Sequence, residues 1–229
     1  MSSKKIIVTG ASRGIGLELT NILLRNGHQV LTLSRSTDTL RELGKNHPNL
    51  KAISCDLTFG IDSVLPEIKE HFKYLDVLVN NAGALINKSF LNTSEADWQR
   101  ILDVNLMGPV RLIKAIMPMM REGSHIVNIS SMGGFQGSSK FPGLSAYSTS
   151  KGALSILTEC LSVEFAHLGV HINTLCLGAV QTEMLEEAFP GYQAPVQAAE
   201  MAQFIADFAL HRAKLFNGKI IPVAINDPS

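Results

Sequence analysis

A short apolar run, Lys5-Ile6-Ile7-Val8-Thr9, leads into Gly10-Ala11-Ser12-Arg13-Gly14-Ile15-Gly16. A helical pattern follows through Leu17, Leu19, Ile22, Leu23 and Leu24, Asn26-Gly27 ends it, and Gln29–Ser34 reads as a second strand. Two strands joined by such a crossover pair in parallel, and a parallel sheet is covered by helices on both faces. This β-α-β unit commits the chain to an α/β fold. Its glycines also point to a ligand. They let the backbone approach a pyrophosphate, while the helix N-terminus supplies N–H donors and positive dipole charge. The spacing is Gly-x-x-x-Gly-x-Gly rather than the general Gly-x-Gly-x-x-Gly, and an ordinary glycine turn is the alternative reading.

The end of the second strand separates the two nicotinamide dinucleotides. An acidic residue there takes a ribose 2′-OH, whereas a 2′-phosphate calls for arginine. The chain reads Ser34-Arg35, with Arg13 also available in the glycine loop. Two guanidiniums without a carboxylate favour NADP(H), with NAD(H) as the second choice. Asp38 is close by, but Thr37 or Asp38 is expected to cap the next helix.

Further on, strands and helices keep alternating. A third strand, Leu50–Ser54, runs into Cys55-Asp56-Leu57, where Asp56 either accepts from an adenine amino group or begins a turn. An amphipathic segment spans about Ile61–Phe72, and the near-continuous apolar Leu75–Asn80 suits a sheet covered on both faces. The small residues of Asn80-Asn81-Ala82-Gly83 let the backbone lie flat against a ligand. A helical region from about Ser94 to Met120 is expected to break or bend near Gly108-Pro109. Asn105 lies at its middle, either as a hydrogen-bonding plug or as part of a polar relay. The strand His125–Ser131 ends in two serines and is followed by a Gly/Ser-rich loop, Met132–Ser145. After it come a helix around Tyr147, apolar through Leu154, Leu157, Leu161 and Phe165, and a strand, Val170–Cys176. A mobile stretch, Glu183–Pro195, a helix, Gln197–His211, and a last strand, Lys219–Ile225, complete the pattern. One domain, 1–229, with about seven mostly parallel strands is expected.

Composition narrows the function. Net charge is zero and no basic run exceeds two residues, which argues against a nucleic-acid or acidic-lipid partner. No apolar run reaches membrane-spanning length, and Met1–Lys5 leads straight into a strand, so neither a span nor a signal peptide is expected. Cys55, Cys160 and Cys176 lack metal-ligand spacing and read as buried reduced thiols of a cytoplasmic protein. No His/Cys/carboxylate cluster suggests a metal. His125, His167 and His171 read as structural.

The chemistry is carried by Ala146-Tyr147-Ser148-Thr149-Ser150-Lys151. Tyr and Lys four apart share a helix face, and a nearby ammonium favours the phenolate. A phenol so tuned passes a proton to or from a substrate oxygen. Alone the pair is weak evidence, since a half-buried Tyr beside a solvated Lys gives the same spacing.

Taken in order, Thr9-Gly10-x-x-x-Gly14-x-Gly16, Asp56, Asn80-Asn81-Ala82-Gly83, Asn105, Ser131 and Tyr147-x-x-x-Lys151 resemble the short-chain dehydrogenase/reductase family over nearly the whole chain. The resemblance implies a single Rossmann-like, doubly wound domain that binds a nicotinamide dinucleotide. Gly10, Ser12, Arg13, Gly14, Ile15 and Gly16 would hold its phosphates, with Arg35, Asp56 and Leu57 at the adenosine. Asn81, Ala82, Gly83, Asn105, Tyr147, Lys151, Gly178, Val180 and Thr182 would line the remainder, Thr182 meeting the carboxamide. Tyr147 would be the general acid/base, Ser131 would bind the substrate oxygen, and Lys151 would hold the ribose and lower the Tyr147 pKa. Asn105 would fix a water joining Lys151 to solvent.

Three departures stand out. Ser131 and Tyr147 are farther apart than in the family, and the extra residues fall in Gly137-Ser138-Ser139-Lys140, with Ser130 and Ser138 as alternatives to Ser131. Leu177-Gly178 replaces the family's Pro-Gly, so the loop that positions nicotinamide loses a rigid residue. The tail Ala224–Ser229 lacks the family's Asp-Gly-Gly, so a homodimer is expected as readily as a homotetramer.

The activity implied is reduction of a ketone or aldehyde. The alternatives are a 3-oxoacyl-thioester reductase of fatty-acid synthesis, or a non-catalytic dinucleotide sensor or scaffold. Met132–Phe141, Ala84–Asn87, Met184, Leu185, Phe189 and Tyr192 are expected to wall a largely apolar substrate pocket. The stretch 183–195 would be its substrate loop.

Overall fold

The computed structural model describes residues 2–225. The initiator methionine and positions 226–229 of the tail lie outside the described residues, and so does that part of the tail comparison. Strands β1 (Lys5–Thr9), β2 (Gln29–Ser34), β3 (Leu50–Ser54) and β4 (Leu75–Asn80) alternate with helices α1 (Gly14–Arg25), α2 (Asp38–Asn46) and α3 (Ile61–His71). Helices α4 (Glu95–Leu102) and α5 (Gly108–Ile116) lead to β5 (Met120–Ser131), the long helix α6 (Ser145–Glu164) and β6 (His171–Leu177). The chain then forms β7 (Val180–Gln181), α7 (Glu183–Ala188), β8 (Val196–Gln197), α8 (Ala198–His211) and β9 (Ile220–Val223).

Seven strands make one parallel sheet in the order β3-β2-β1-β4-β5-β6-β9. The winding direction reverses between β1 and β4, and the crevice beyond their carboxyl ends is where open α/β sheets take ligands. Thr9-Gly10 and Asn80-Asn81 stand at that crevice. Successive strand residues face opposite layers, and both layers are apolar. Ile6, Val8, Val77 and Val79 join Leu19 and Leu23 of α1 and Ile205 and Phe208 of α8. Ile7 and Leu78 join Ile68 of α3 and Leu112 and Ile116 of α5. These strands therefore read as unbroken apolar runs rather than alternating ones.

The helical region after β4 differs from its expected form. Ser94 and Asp97 close a capping box at the start of α4. The bend falls before Gly108-Pro109: Asp103–Met107 form a π-helical turn, with α5 beginning just after it. A 3-10 turn holding Pro118 ends the helix, and β5 starts at Met120, with a register shift opposite Leu75 and Val77. Glu183–Pro195 contains α7, whose first turn is capped by the Thr182 hydroxyl accepting from Leu185 N–H. Thr37 is the N-cap of α2, but its side chain makes no capping bond. Of the three thiols, Cys55 and Cys176 are buried, whereas Cys160 lies exposed on α6 because its position faces away from the sheet. Among the described residues no helix is long and apolar enough to cross a membrane, and no group of three or more His, Cys, Asp or Glu could hold a metal.

Candidate active site

The glycine loop is clamped between the ends of β2 and β4. Gly10 N–H donates to Leu33 C=O, and Ala11 N–H to the buried Ser34 hydroxyl at 2.9 Å. Asn81 Nδ2 donates to Thr9 and Gly10 carbonyls at 3.0 and 3.1 Å, while Asn81 and Ala82 N–H groups both donate to Thr9 Oγ1 at 3.0 Å. Gly10 has φ +66°, and a Cβ there would stand 2.6 Å from Ala82 Cα. The helix that follows has no side-chain cap from Arg13 and no acid in its first turn. Its leading N–H groups keep their capacity for an anion. This cradle fits the phosphates of a dinucleotide.

Arg35 is exposed at the end of β2 and Arg13 sits at the N-cap of α1. Arg13 is engaged: its two terminal nitrogens meet the carboxylate of Glu187 on α7, which raises the guanidinium pKa further. Sequence reading missed this partner because its position is remote in the chain. Asp56 begins a turn, accepting from Thr58 N–H at 2.9 Å and Thr58 Oγ1 at 2.7 Å. Burial raises the Asp56 pKa, but those bonds and the Arg35 charge outweigh it and hold the carboxyl low. Leu57 is buried beside it.

The π-helical turn places Asn105 in a fully buried position. Its Oδ1 accepts from Ala84 N–H at 2.7 Å, and its Nδ2 donates to Ala84 C=O at 2.9 Å and Ser150 Oγ at 3.0 Å. The amide thus ties the segment after Gly83 to α6. Lys151, only 4% exposed, donates to Ile129 C=O at 2.7 Å, and its Nζ lies 6.0 Å from the Tyr147 ring centre. A Cβ on Gly83 would stand 3.5 Å from both Asn105 Oδ1 and Lys151 Nζ. Gly83, Asn105, Tyr147 and Lys151 are therefore brought together.

Ser131 ends β5, and its hydroxyl accepts from Gly133 N–H at 3.1 Å. Burial raises the Tyr147 pKa and the Ser131 side chain draws it partly back. The direction is opposite to the expected lowering: desolvation of the phenol outweighs the hydrogen bond from the Ser131 side chain. Burial also pushes Lys151 down to about 8. The two alternative serines face elsewhere. Ser130 Oγ donates to Lys151 C=O at 2.9 Å, and Ser138 Oγ donates to the Met132 and Phe135 carbonyls while accepting from Lys140 Nζ. Lys140 also donates to Phe135 C=O at 2.7 Å, so the inserted residues form a tied loop.

Beneath the site runs a buried polar chain that the sequence reading passed over. Asn80 Nδ2 donates to Asn128 Oδ1 at 2.8 Å, Asn128 Nδ2 to Thr158 Oγ1 at 2.8 Å, and the Thr158 and Thr174 hydroxyls lie 2.6 Å apart. It pins β4, β5, β6 and α6 together. An amide amid the apolar Ile126, Val127 and Ile129 was the available signal.

Beside the Gly133-Gly134 turn lies a cleft of about 660 Å³, lined by Phe90, Phe135, Phe141, Leu144 and Lys140 among others. The expected wall residues from 183–195 do not line this cleft. Instead Thr182, Glu183, Glu186 and Glu187 border a second hollow of about 590 Å³ with Gly14 and Leu17. Asn87 Nδ2 donates to Ala188 C=O at 3.0 Å, joining the loop after β4 to the end of α7. Gly178 N–H donates to Val223 C=O, Val180 is buried, and Thr182 serves α7 as its cap.

Residues 4–193 match the family model described as short chain dehydrogenase. The chain belongs to this family. Among its relatives, Oxidoreductase UcpA of Salmonella typhimurium is 34% identical over 193 residues, 81% of this chain and 73% of that protein. A solved structure of ElxO with NADP bound superposes with a TM-score of 0.84 at 25% identity, covering 97% of this chain and 98% of that one. A 4-hydroxyisoleucine dehydrogenase mutant complexed with NADH and succinate shares the fold, with a TM-score of 0.89 at 23% identity over 98% of each chain. This short-chain dehydrogenase is thus an oxidoreductase with a Rossmann-like domain.

Proposed function

We propose that the protein is an NADP(H)-dependent reductase of a ketone or aldehyde, with Tyr147 as general acid in reduction and general base in alcohol oxidation. The observation that carries this reading is the convergence of Tyr147, Lys151, Ser131 and Asn105 beside the phosphate cradle, since a dinucleotide sensor needs only the cradle. When bound, the nicotinamide supplies or accepts the hydride. Gly10, Ser12, Gly14, Ile15 and Gly16 would hold its phosphates, Arg35 and Arg13 would take the 2′-phosphate, and Asp56 and Leu57 would border the adenine. Asn81, Ala82 and Gly83 would form the floor, and Gly178, Val180 and Thr182 the nicotinamide end. The superposed structures hold NADP in ElxO and NADH in the 4-hydroxyisoleucine dehydrogenase, so the choice of nucleotide rests on Arg35 and Arg13.

Ser131 holds the substrate oxygen against the Tyr147 hydroxyl, which delivers its proton to that oxygen. The raised pKa keeps this proton in place at neutral pH. Lys151 offers its ammonium to the ribose hydroxyls, and Asn105 fixes the backbone from which a water would lead to solvent. Aromatic residues of the cleft favour a mostly apolar carbonyl compound. A 3-oxoacyl thioester is one such substrate class. We assign the assembly as a homodimer or homotetramer, in the cytoplasm.

The test is NADPH consumption against a panel of aldehydes, ketones, diketones and 3-oxoacyl thioesters. Tyr147→Phe is expected to lower turnover by a factor of at least roughly 100 while leaving the NADPH Kd unchanged. Turnover persisting in Tyr147→Phe would remove the assigned acid, and tight NADPH binding with no turnover on any substrate would favour the sensor.

A further inference from the structure

The contact between Arg13 and Glu187 has no part in the proton and hydride chemistry. Arg13 stands in the loop that presents α1 to phosphate. Its Nη1 meets Oε1 of Glu187, and its Nη2 meets Oε2 at 3.3 Å. A guanidinium takes phosphate in the same two-pronged way as it takes carboxylate. The carboxylate comes from α7, whose first residue and N-cap stand near Gly14 of the loop. A Cβ on Gly14 would stand 3.4 Å from both Glu183 Oε2 and Thr182 Cγ2. Both members of the ion pair are about half exposed, with side-chain exposures of 48% and 63%, so the pair exchanges readily with other ions.

We propose that Glu187 is a specificity-determining residue that competes with the nucleotide 2′-phosphate for Arg13 and thereby narrows the preference for NADP(H) over NAD(H). The inference rests on the reading above, in which a nicotinamide dinucleotide binds at this loop. A 2′-phosphate must displace Glu187 to reach the Arg13 fork. NAD(H) has no group with a claim on that fork, and binds with the ion pair intact. Glu187 therefore acts on one nucleotide and not the other. The competition also links the nucleotide to α7, the element that follows Thr182.

The experiment measures Kd for NADPH and NADH by nucleotide fluorescence on the full chain. It compares the unmodified protein, Glu187→Gln, Arg13→Ala, the double variant and Arg35→Ala. Glu187→Gln is expected to tighten NADPH by about 2- to 5-fold, the range for an exposed pair, and to leave NADH unchanged. In the Arg13→Ala background, Glu187→Gln is expected to change neither nucleotide. An unchanged NADPH Kd in Glu187→Gln, an equal gain for NADH, or a gain that persists without Arg13 overturns the inference. Arg35→Ala separates the two levels of the argument. NADPH-selective weakening there, with Glu187→Gln silent, keeps the NADP(H) reading and discards only the role of Glu187. Equal weakening of both nucleotides in Arg35→Ala and in Arg13→Ala discards the reading and the inference together.

Discussion

Burial acts on Tyr147 and Lys151 in opposite directions, because one is neutral and the other charged when protonated. Tyr147 is moved up, and Lys151 down to about 8. Both groups are thus protonated at neutral pH, the state that carbonyl reduction needs. kcat/KM for reduction is expected to hold a plateau near pH 7 and fall as pH rises through about 8, when Lys151 loses its charge. A pH–rate profile that stays flat to pH 9.5 would contradict that role for the ammonium. His125 gives a separate pH effect, on stability. It is buried, Nδ1–H donates to Ala209 C=O at 3.1 Å, and Nε2 accepts from Asn173 at 3.0 Å, with its pKa pushed down to about 4. The unfolded histidine binds a proton near pH 6.5, so its contribution is complete above that value and lost as pH falls toward 4. The loss amounts to about 3 kcal/mol at most. Urea unfolding at pH 7 and 4.5 should show it, and His125→Asn should flatten the slope between them.

The first turn of α1 lies so close to the glycine loop that a Cβ on Gly16 would stand 2.3 Å from Gly10 O and 2.5 Å from Asn81 Nδ2. Gly16→Ala must push the helix off its loop or break the Asn81 clamp. A cost of about 1–3 kcal/mol is expected in thermal unfolding, with NADPH affinity reduced roughly tenfold. Full stability and affinity in that variant would mean that the close approach is not needed. This junction was legible in the sequence because strand, glycines and helix are contiguous there. For the same reason β1 to β4 carry the bounds expected from their apolar runs. Features made by distant residues were not legible. The π-helical turn at Asp103–Met107 holds Asn105 against Ala84 and Ser150, and a local reading placed a break or bend near Gly108-Pro109 without showing that the turn itself comes just before it. The two-residue strands β7 and β8 pair Val180 with Val196 and Gln181 with Gln197, too short to leave a periodicity. In α7 the apolar residues are too few to mark a face, and the Thr182 cap and the Glu187–Arg13 pair hold it. The sequence pattern thus located the site residues on their elements, but not the partners that orient them.

At the scale of the molecule, the sheet is covered by α1, α2 and α8 on one side and by α3, α5 and α6 on the other, yet the outer side of α6 carries an exposed apolar stripe flanked by Glu159 and Glu164. Ile156 is 58% exposed and Val163 77%, with exposed Cys160 between them on the same stripe. Apolar side chains grouped on one helix face mark a surface that a partner covers, whereas single ones are ordinary. A second copy of the chain is the partner proposed for it. Light scattering after size exclusion is expected to give two or four times the chain mass, and Ile156→Glu with Val163→Glu to shift it to one. Neither residue belongs to the buried set of α6, so the substitutions leave its packing against the sheet intact. Tyr147 lies on this same helix, nine residues before Ile156, roughly 13 Å along the axis. A second copy seated there would bear on the site through the position of this one helix. A monomeric variant that binds NADPH normally but turns over more slowly would show that the second copy fixes Tyr147. Unchanged turnover in the monomer would confine the contact to assembly alone, and a single-chain mass for the unmodified protein would remove the assignment.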